Sequence, residues 1–216
     1  MIFLISKRIL NFSWITGAKC FKTVSGNFFT ITADKMGFKH PLVWIDLEMT
    51  GLDLEKDKIL EIACLLTDGE LNNVKEGPEL IIHQTDEILD NMNEWCTNQH
   101  GKTGLTESCR KSRVTEAEAE KRVMEFLIEN GIQPGQAHLA GNSVYVDRQF
   151  LSKFMPEIDK YLHYRIVDVS SVKELCKYWY PEKRLNTPAK EGNHRAMGDI
   201  YNSLHELKYY KHNIFM

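Results

Sequence analysis

The chain has 216 residues, enough for one domain with an added tail, and its 43% hydrophobic content is sufficient for a packed core. With 26% charged residues, 13 Gly and 6 Pro, disordered, collagen-like and low-complexity classes are excluded, and no apolar run approaches the ~20 residues that span a bilayer. A net charge of -3 excludes a global basic footprint, so any nucleic-acid contact must be local. The five scattered Cys suggest neither a zinc ribbon nor a disulfide scaffold and fit a reducing compartment.

Charge divides the chain. Residues 1–33 hold Lys7, Arg8, Lys19 and Lys22 and no acid before Asp34. The remaining 23 of the 27 basic residues face all 30 acids, so the body is net -7. A basic, hydroxylated, acid-free segment has the composition of a mitochondrial transit peptide. A plain N-terminal extension is the rival. A secretory signal is disfavoured because Asn11, Ser13 and Thr16 interrupt its apolar stretch. The expected organisation is a leader over 1–38 and one domain over 39–216. Mitochondrial residence is expected, with a second, leaderless cytosolic form left open.

In the body, Leu42 to Ile45 reads as a buried strand and Ile59 to Thr67 as a second. Asp68-Gly69 and Gly77-Pro78 read as turns, and Leu80 to Ile82 as a third strand, giving an antiparallel start. Thr115 and Glu118 make a capping box for a helix carrying Ala119, Val123, Phe126 and Leu127, stopped by Gly131 and Pro134. A short strand over 137–140 precedes a helix over 147–155 that Pro156 ends. A strand over 165–169 precedes a helix over 170–180, with Glu174 completing a second capping box. A polar loop over 181–193 leads to a final helix over 194–210. Strands in a meander followed by alternating helix and strand predict an α/β fold with a mixed sheet flanked by helices. An all-α fold would leave the early β-rich runs unexplained.

Asp46 and Glu48 sit two apart at the end of the first strand, on one face and about 7 Å apart along it. Such carboxylates repel unless a cation lies between them. Acid-x-acid also occurs innocently at Glu116, Glu118 and Glu120, read as a solvated helix face. Asp147 at a helix start equally suits the helix dipole. His194 and Asp199 are five apart, about 140° around a helix, so they do not share a face. Each residue alone has a plain reading. Together they offer four hard oxygen ligands and one titratable imidazole. That set favours Mg²⁺ or Mn²⁺ over Zn²⁺, and two such ions suit phosphodiester hydrolysis.

Asp-x-Glu after a first strand, a mid-chain Asp and a late His-x4-Asp resemble the four-carboxylate (DEDD, histidine subtype) 3′→5′ exonucleases. WIDLEMTGLD at 44–53, KILEIACLLTD at 58–68, EWC and QHGKTGLT around 94–106, AGNSVYVDRQFL at 140–151, LHYRIVDVSSVKELCKYWYP at 162–181 and NHRAMGDI at 193–200 narrow the likeness to the oligoribonuclease family, over roughly 41–216. The resemblance implies a ribonuclease H-like fold with a five-stranded mixed sheet, a homodimer, and cleavage of very short RNA, dinucleotides above all, to 5′-mononucleotides. It implies that Asp46, Glu48, Asp147 and Asp199 hold two metal ions and that His194 is the general base. It places Leu52 and Trp95 against the two bases, although Trp95 alone would read as a core tryptophan. Ser143, Arg165 and Ser170 would bind the 5′-terminal phosphate, with His100 near that end and Tyr164 arriving from a partner subunit. A general or proofreading-type exonuclease and a non-catalytic nucleotide-binding relative are the alternatives. One departure is Gly198, where the family usually has an acid; a glycine there is expected to bend the final helix or delay its start.

Overall fold

The computed structural model describes residues 13–15, 18–22, 28–30, 38–184 and 195–215. The chain divides into two compact units, Met1–Gly37 and Phe38–Met216. In the first unit, β1 (Ser13–Ile15), β2 (Ala18–Lys22) and β3 (Phe28–Thr30) pair as an antiparallel sheet. The features that suggested a targeting address lie mostly outside the described residues.

The second unit is built on a five-stranded sheet. Its strands are β4 (Leu42–Met49), β5 (Ile59–Thr67), β6 (Lys75–Ile81), β7 (His138–Gly141) and β8 (His163–Asp168), in the order β6-β5-β4-β7-β8. β4, β5 and β6 form an antiparallel meander, while β4, β7 and β8 run parallel. The sheet is mixed, as expected. Helices cover both faces, which is why all nine residues of β5 are buried and why it reads as a continuous apolar run.

The period-2 alternation of β4 assigns its side chains to two cores. Val43, Ile45 and Leu47 join Ile62, Cys64 and Leu66 against α4 (Glu116–Glu129), α5 (Tyr145–Phe154) and α6 (Pro156–Tyr161). Leu42 and Trp44 join Ala63 and Leu65 against α7 (Val169–Trp179) and α9 (Ala196–Asn213). Asp46 and Glu48 continue the Leu42–Trp44 face, so the pleat alone turns both carboxylates toward α9. The short α8 (Pro181–Arg184) follows α7.

Several boundaries differ from expectation. Gly77 and Pro78 are inside β6, not in a turn. β6 is an edge strand, where a missing N–H is tolerated, and its pairing with β5 shifts register there. A Cβ on Gly77 would come within 2.6 Å of the Phe126 ring and 2.8 Å of the Cys64 carbonyl, so α4 packs on the bare backbone. Pro156 opens α6 as well as following α5. Asp168, not a serine, caps α7, accepting the Ser170 amide. α1 (Asp86–Asp90), α2 (Glu94–Lys102) and α3 (Leu105–Lys111) fill a stretch with no expected elements. They bury Leu89, Cys96, Leu105 and Cys109 against Leu60 of β5.

Candidate active site

The site forms where β4 ends. Its pairing with β5 shifts register between Glu48 and Met49, a bulge that bends the strand next to its acids. Asp46, Glu48 and Asp199 each place a carboxylate oxygen within 4.8 Å of the others. Asp199 comes from the first turn of α9, and its amide donates to the Arg195 carbonyl. Gly198 lies in the same turn with open space around it, and the helix starts at Ala196, two residues later than the sequence suggested. His194 lies outside the described residues.

Asp147 is buried in the first turn of α5. It is not one of the three clustered carboxylates. Its Oδ1 accepts the Leu47 amide at 2.9 Å, beyond the point where β7 stops pairing with β4. That bond fixes the carboxylate beside Asp46 and Glu48. Among charges, Asp147 is the largest influence on Asp46, whose carboxyl is held well above its usual range by burial and then by Asp147, Glu48 and Asp199. Burial first, then Asp199, Glu61 and Asp147, raise Glu48 to about 8, against the opposing pull of Arg195. Burial raises Asp147 to about 7 despite the amide bonds that favour its ionised form. Buried carboxylates that oppose one another's ionisation fit a hard divalent cation, which removes the repulsion and takes oxygen ligands.

Behind the cluster stands a residue that sequence reasoning did not single out. Glu61 is the cross-strand partner of Glu48 and is fully buried. Arg195 grips it with Nε at 3.0 Å and a terminal nitrogen at 2.6 Å. Only its position in an otherwise apolar strand marked Glu61 in the sequence.

Leu52 and Trp95 are 72% and 62% exposed and line one cavity of about 490 Å³ with Glu48, Met49, Gly51, Asn93 and His100. Trp95 is therefore not a core residue. Its helix is capped by Asn93, whose side chain accepts the Cys96 amide. Gly51 is needed in the other wall, because a Cβ there would lie 2.4 Å from the Asp57 carboxylate that ties Thr50 to Asp53. His100 is buried in this cavity wall, with Nε2 2.9 Å from the Met49 carbonyl and Nδ1 3.9 Å from Glu48. It thus sits beside a metal-ligand candidate.

Ser143 and Ser170 do come together, with hydroxyls 3.1 Å apart. Ser143 is in the left-handed region, φ 51°, and its amide faces Asp168 and the Ser170 hydroxyl. Asp168 was also missed; an acid closing a strand before two serines was its signal as a cap. Arg165 is stacked on Tyr164, its guanidinium carbon 4.8 Å from the ring centroid, and Tyr164 is 70% exposed.

The exonuclease family model RNase_T matches residues 43–207. The mitochondrial oligoribonuclease of Homo sapiens is 53% identical over 174 residues, 81% of this chain and 73% of that protein. The oligoribonuclease of Arabidopsis thaliana is 54% identical, covering 82% of this chain and 80% of that protein, and a Marinobacter nauticus oligoribonuclease is 49% identical, covering 81% and 96%. In three dimensions the chain is similar to the zinc-bound form of the E. coli ExoI–ssDNA complex, with TM-score 0.64 and 18% identity. That match covers 82% of this chain and 41% of the other, so the chain spans about two fifths of its length and the likeness speaks to the fold. An Asp-x-Glu strand facing a late Asp, on a ribonuclease H-like sheet, together with these identities, shows that the chain belongs to the oligoribonuclease family of exonucleases.

Proposed function

We propose that this 3′→5′ exoribonuclease of short oligoribonucleotides acts above all on dinucleotides, releasing 5′-mononucleotides. The observation that carries the reading is the convergence of Asp46, Glu48 and Asp199 beside a cavity walled by an exposed Trp95. Asp46, Glu48, Asp147 and Asp199 would hold two Mg²⁺ or Mn²⁺ ions. Bound ions of this kind activate water and neutralise charge on the phosphodiester. His194 accepts the proton of the attacking water, a task matched to an imidazole near neutral pH. Leu52 and Trp95 pack against the bases, which is tolerant of sequence because every base has a stacking face. Ser143, Ser170 and Arg165 take the 5′-terminal phosphate, and the fork of Arg165 suits it.

The family likeness supports a homodimer in which Tyr164 serves the partner's site, and the exposure of Tyr164 is compatible with that role. The acid-free leader and the mitochondrial names of the human and bovine relatives support mitochondrial residence. Among the described residues no helix is long and apolar enough to cross a membrane.

The deciding experiment is a length series: labelled RNA of two, five and twenty nucleotides with Mn²⁺, with and without chelator. Fast, chelator-sensitive loss of the dinucleotide with the longest RNA lagging is expected. Equal cutting at all lengths would make the protein a general exonuclease, and dinucleotide binding without cleavage would make it a non-catalytic relative.

A further inference from the structure

Asn142 lies between the serine pair and the helix that carries Asp199, and its carboxamide is bonded to both. Its Oδ1 accepts the Ser170 hydroxyl at 3.1 Å. Its Nδ2 donates to the Ser203 hydroxyl at 2.7 Å and faces Glu206 at 3.3 Å. Ser203 in turn donates to the Asp199 carbonyl at 2.8 Å. Each hydroxyl has a single proton, so the direction of every link is set. Ser203 spends its proton on Asp199 and must accept from Asn142. Ser170 spends its proton on Asn142 and accepts the Ser143 amide at 2.8 Å.

A phosphate offers only acceptors. When it takes the Ser170 proton, it takes it from Asn142, and the other end of that carboxamide is tied to the first turns of α9. We propose that Asn142 is a positioning residue that couples the Ser143–Ser170 pair to Asp199, so that a 5′-phosphate on the substrate governs turnover as well as binding. This rests on the reading of the two serines as phosphate holders. It deepens that reading: the phosphate pocket not only selects short substrates but sets the geometry of one carboxylate of the acidic cluster. Reciprocity then requires that metal binding and 5′-phosphate binding strengthen each other.

The test compares a dinucleotide with and without its 5′-phosphate, in wild type, Asn142→Ala and Ser203→Ala. Ser203→Ala is the cleaner variant, because Asn142 keeps Glu206 as an acceptor and Ser170 keeps Asn142. In wild type the 5′-phosphate should raise kcat at least about fivefold and also lower KM. In Ser203→Ala the kcat advantage should fall to near one while the KM advantage persists; in Asn142→Ala both should shrink. Calorimetric Mn²⁺ titration, with a non-cleavable dinucleotide present, should show tighter metal binding with the 5′-phosphate in wild type but not in Ser203→Ala. A Ser203→Ala enzyme that keeps the wild-type kcat ratio would overturn the coupling while leaving the pocket intact. A wild type indifferent to the 5′-phosphate in both kcat and KM would overturn the pocket and the coupling together.

Discussion

Glu61 and Arg195 form an ion pair directly behind the acidic cluster, with guanidinium nitrogens 2.6 and 3.0 Å from a carboxylate that has no solvent exposure. The same carboxylate faces the Ala196 amide at 3.4 Å, so it also holds the start of α9. Removing the cation strands a buried charge, whereas replacing both partners does not. Arg195→Leu is expected to cost about 3 kcal/mol, the low end for breaking a buried pair, because Arg195 is partly exposed. The double variant Glu61→Leu/Arg195→Leu should cost less than Arg195→Leu alone. Urea denaturation of both proteins measures this.

Glu48 near 8 and Asp147 near 7 predict a pH signature for the metal-free protein. A carboxyl whose folded pKa is raised binds its proton more tightly when folded. Its contribution to stability is complete below the unfolded value, about 4 to 4.5, and is lost as pH rises to the folded value. Chelator-treated protein should therefore lose stability between about pH 4.5 and 8. A cation that binds only the folded, ionised cluster restores it. Mn²⁺ should raise Tm more at pH 8 than at pH 5. Equal shifts at the two pH values would show that these carboxylates do not share a cation.

Trp95 separates binding from folding because it is largely exposed. Trp95→Ala should leave Tm nearly unchanged, as for other surface changes. It should weaken dinucleotide binding by about 1–3 kcal/mol, the range for one stacked base. Fluorescence or calorimetric binding alongside a thermal melt distinguishes this from a core tryptophan, whose loss would lower Tm first.

Gly198 is helical, and a Cβ there would meet nothing within 4 Å. Gly198→Ala should stabilise the protein by about 0.5–1 kcal/mol through lower backbone freedom in the unfolded chain. A destabilised variant would mean that the first turn of α9 needs the freedom of glycine. Denaturant midpoints decide between the two.

Much of the sheet was legible because its signals are local. β5 has the bounds its apolar run suggested, and Asp46 and Glu48 share a face because two residues on a strand always do. β4 runs to Met49, one residue past the acid pair that was read as closing it. α1 to α3 were not legible. They are short, and one small cluster of Leu89, Cys96, Leu105 and Cys109 gives little helical period. Asn142 and Arg195 were hidden for a different reason. Their partners, Ser203 and Glu61, are distant in sequence, and such pairings follow only from the assembled sheet.

The bond from the Leu47 amide to Asp147 spans 100 residues, and Asp199 arrives later still, on the last helix of the fold. No contiguous piece of the chain that ends before α9 contains the full acid set. A fragment that stops before α9 would keep the bond from the Leu47 amide to Asp147 but lack Asp199, so the cluster forms only when elements distant in sequence have docked.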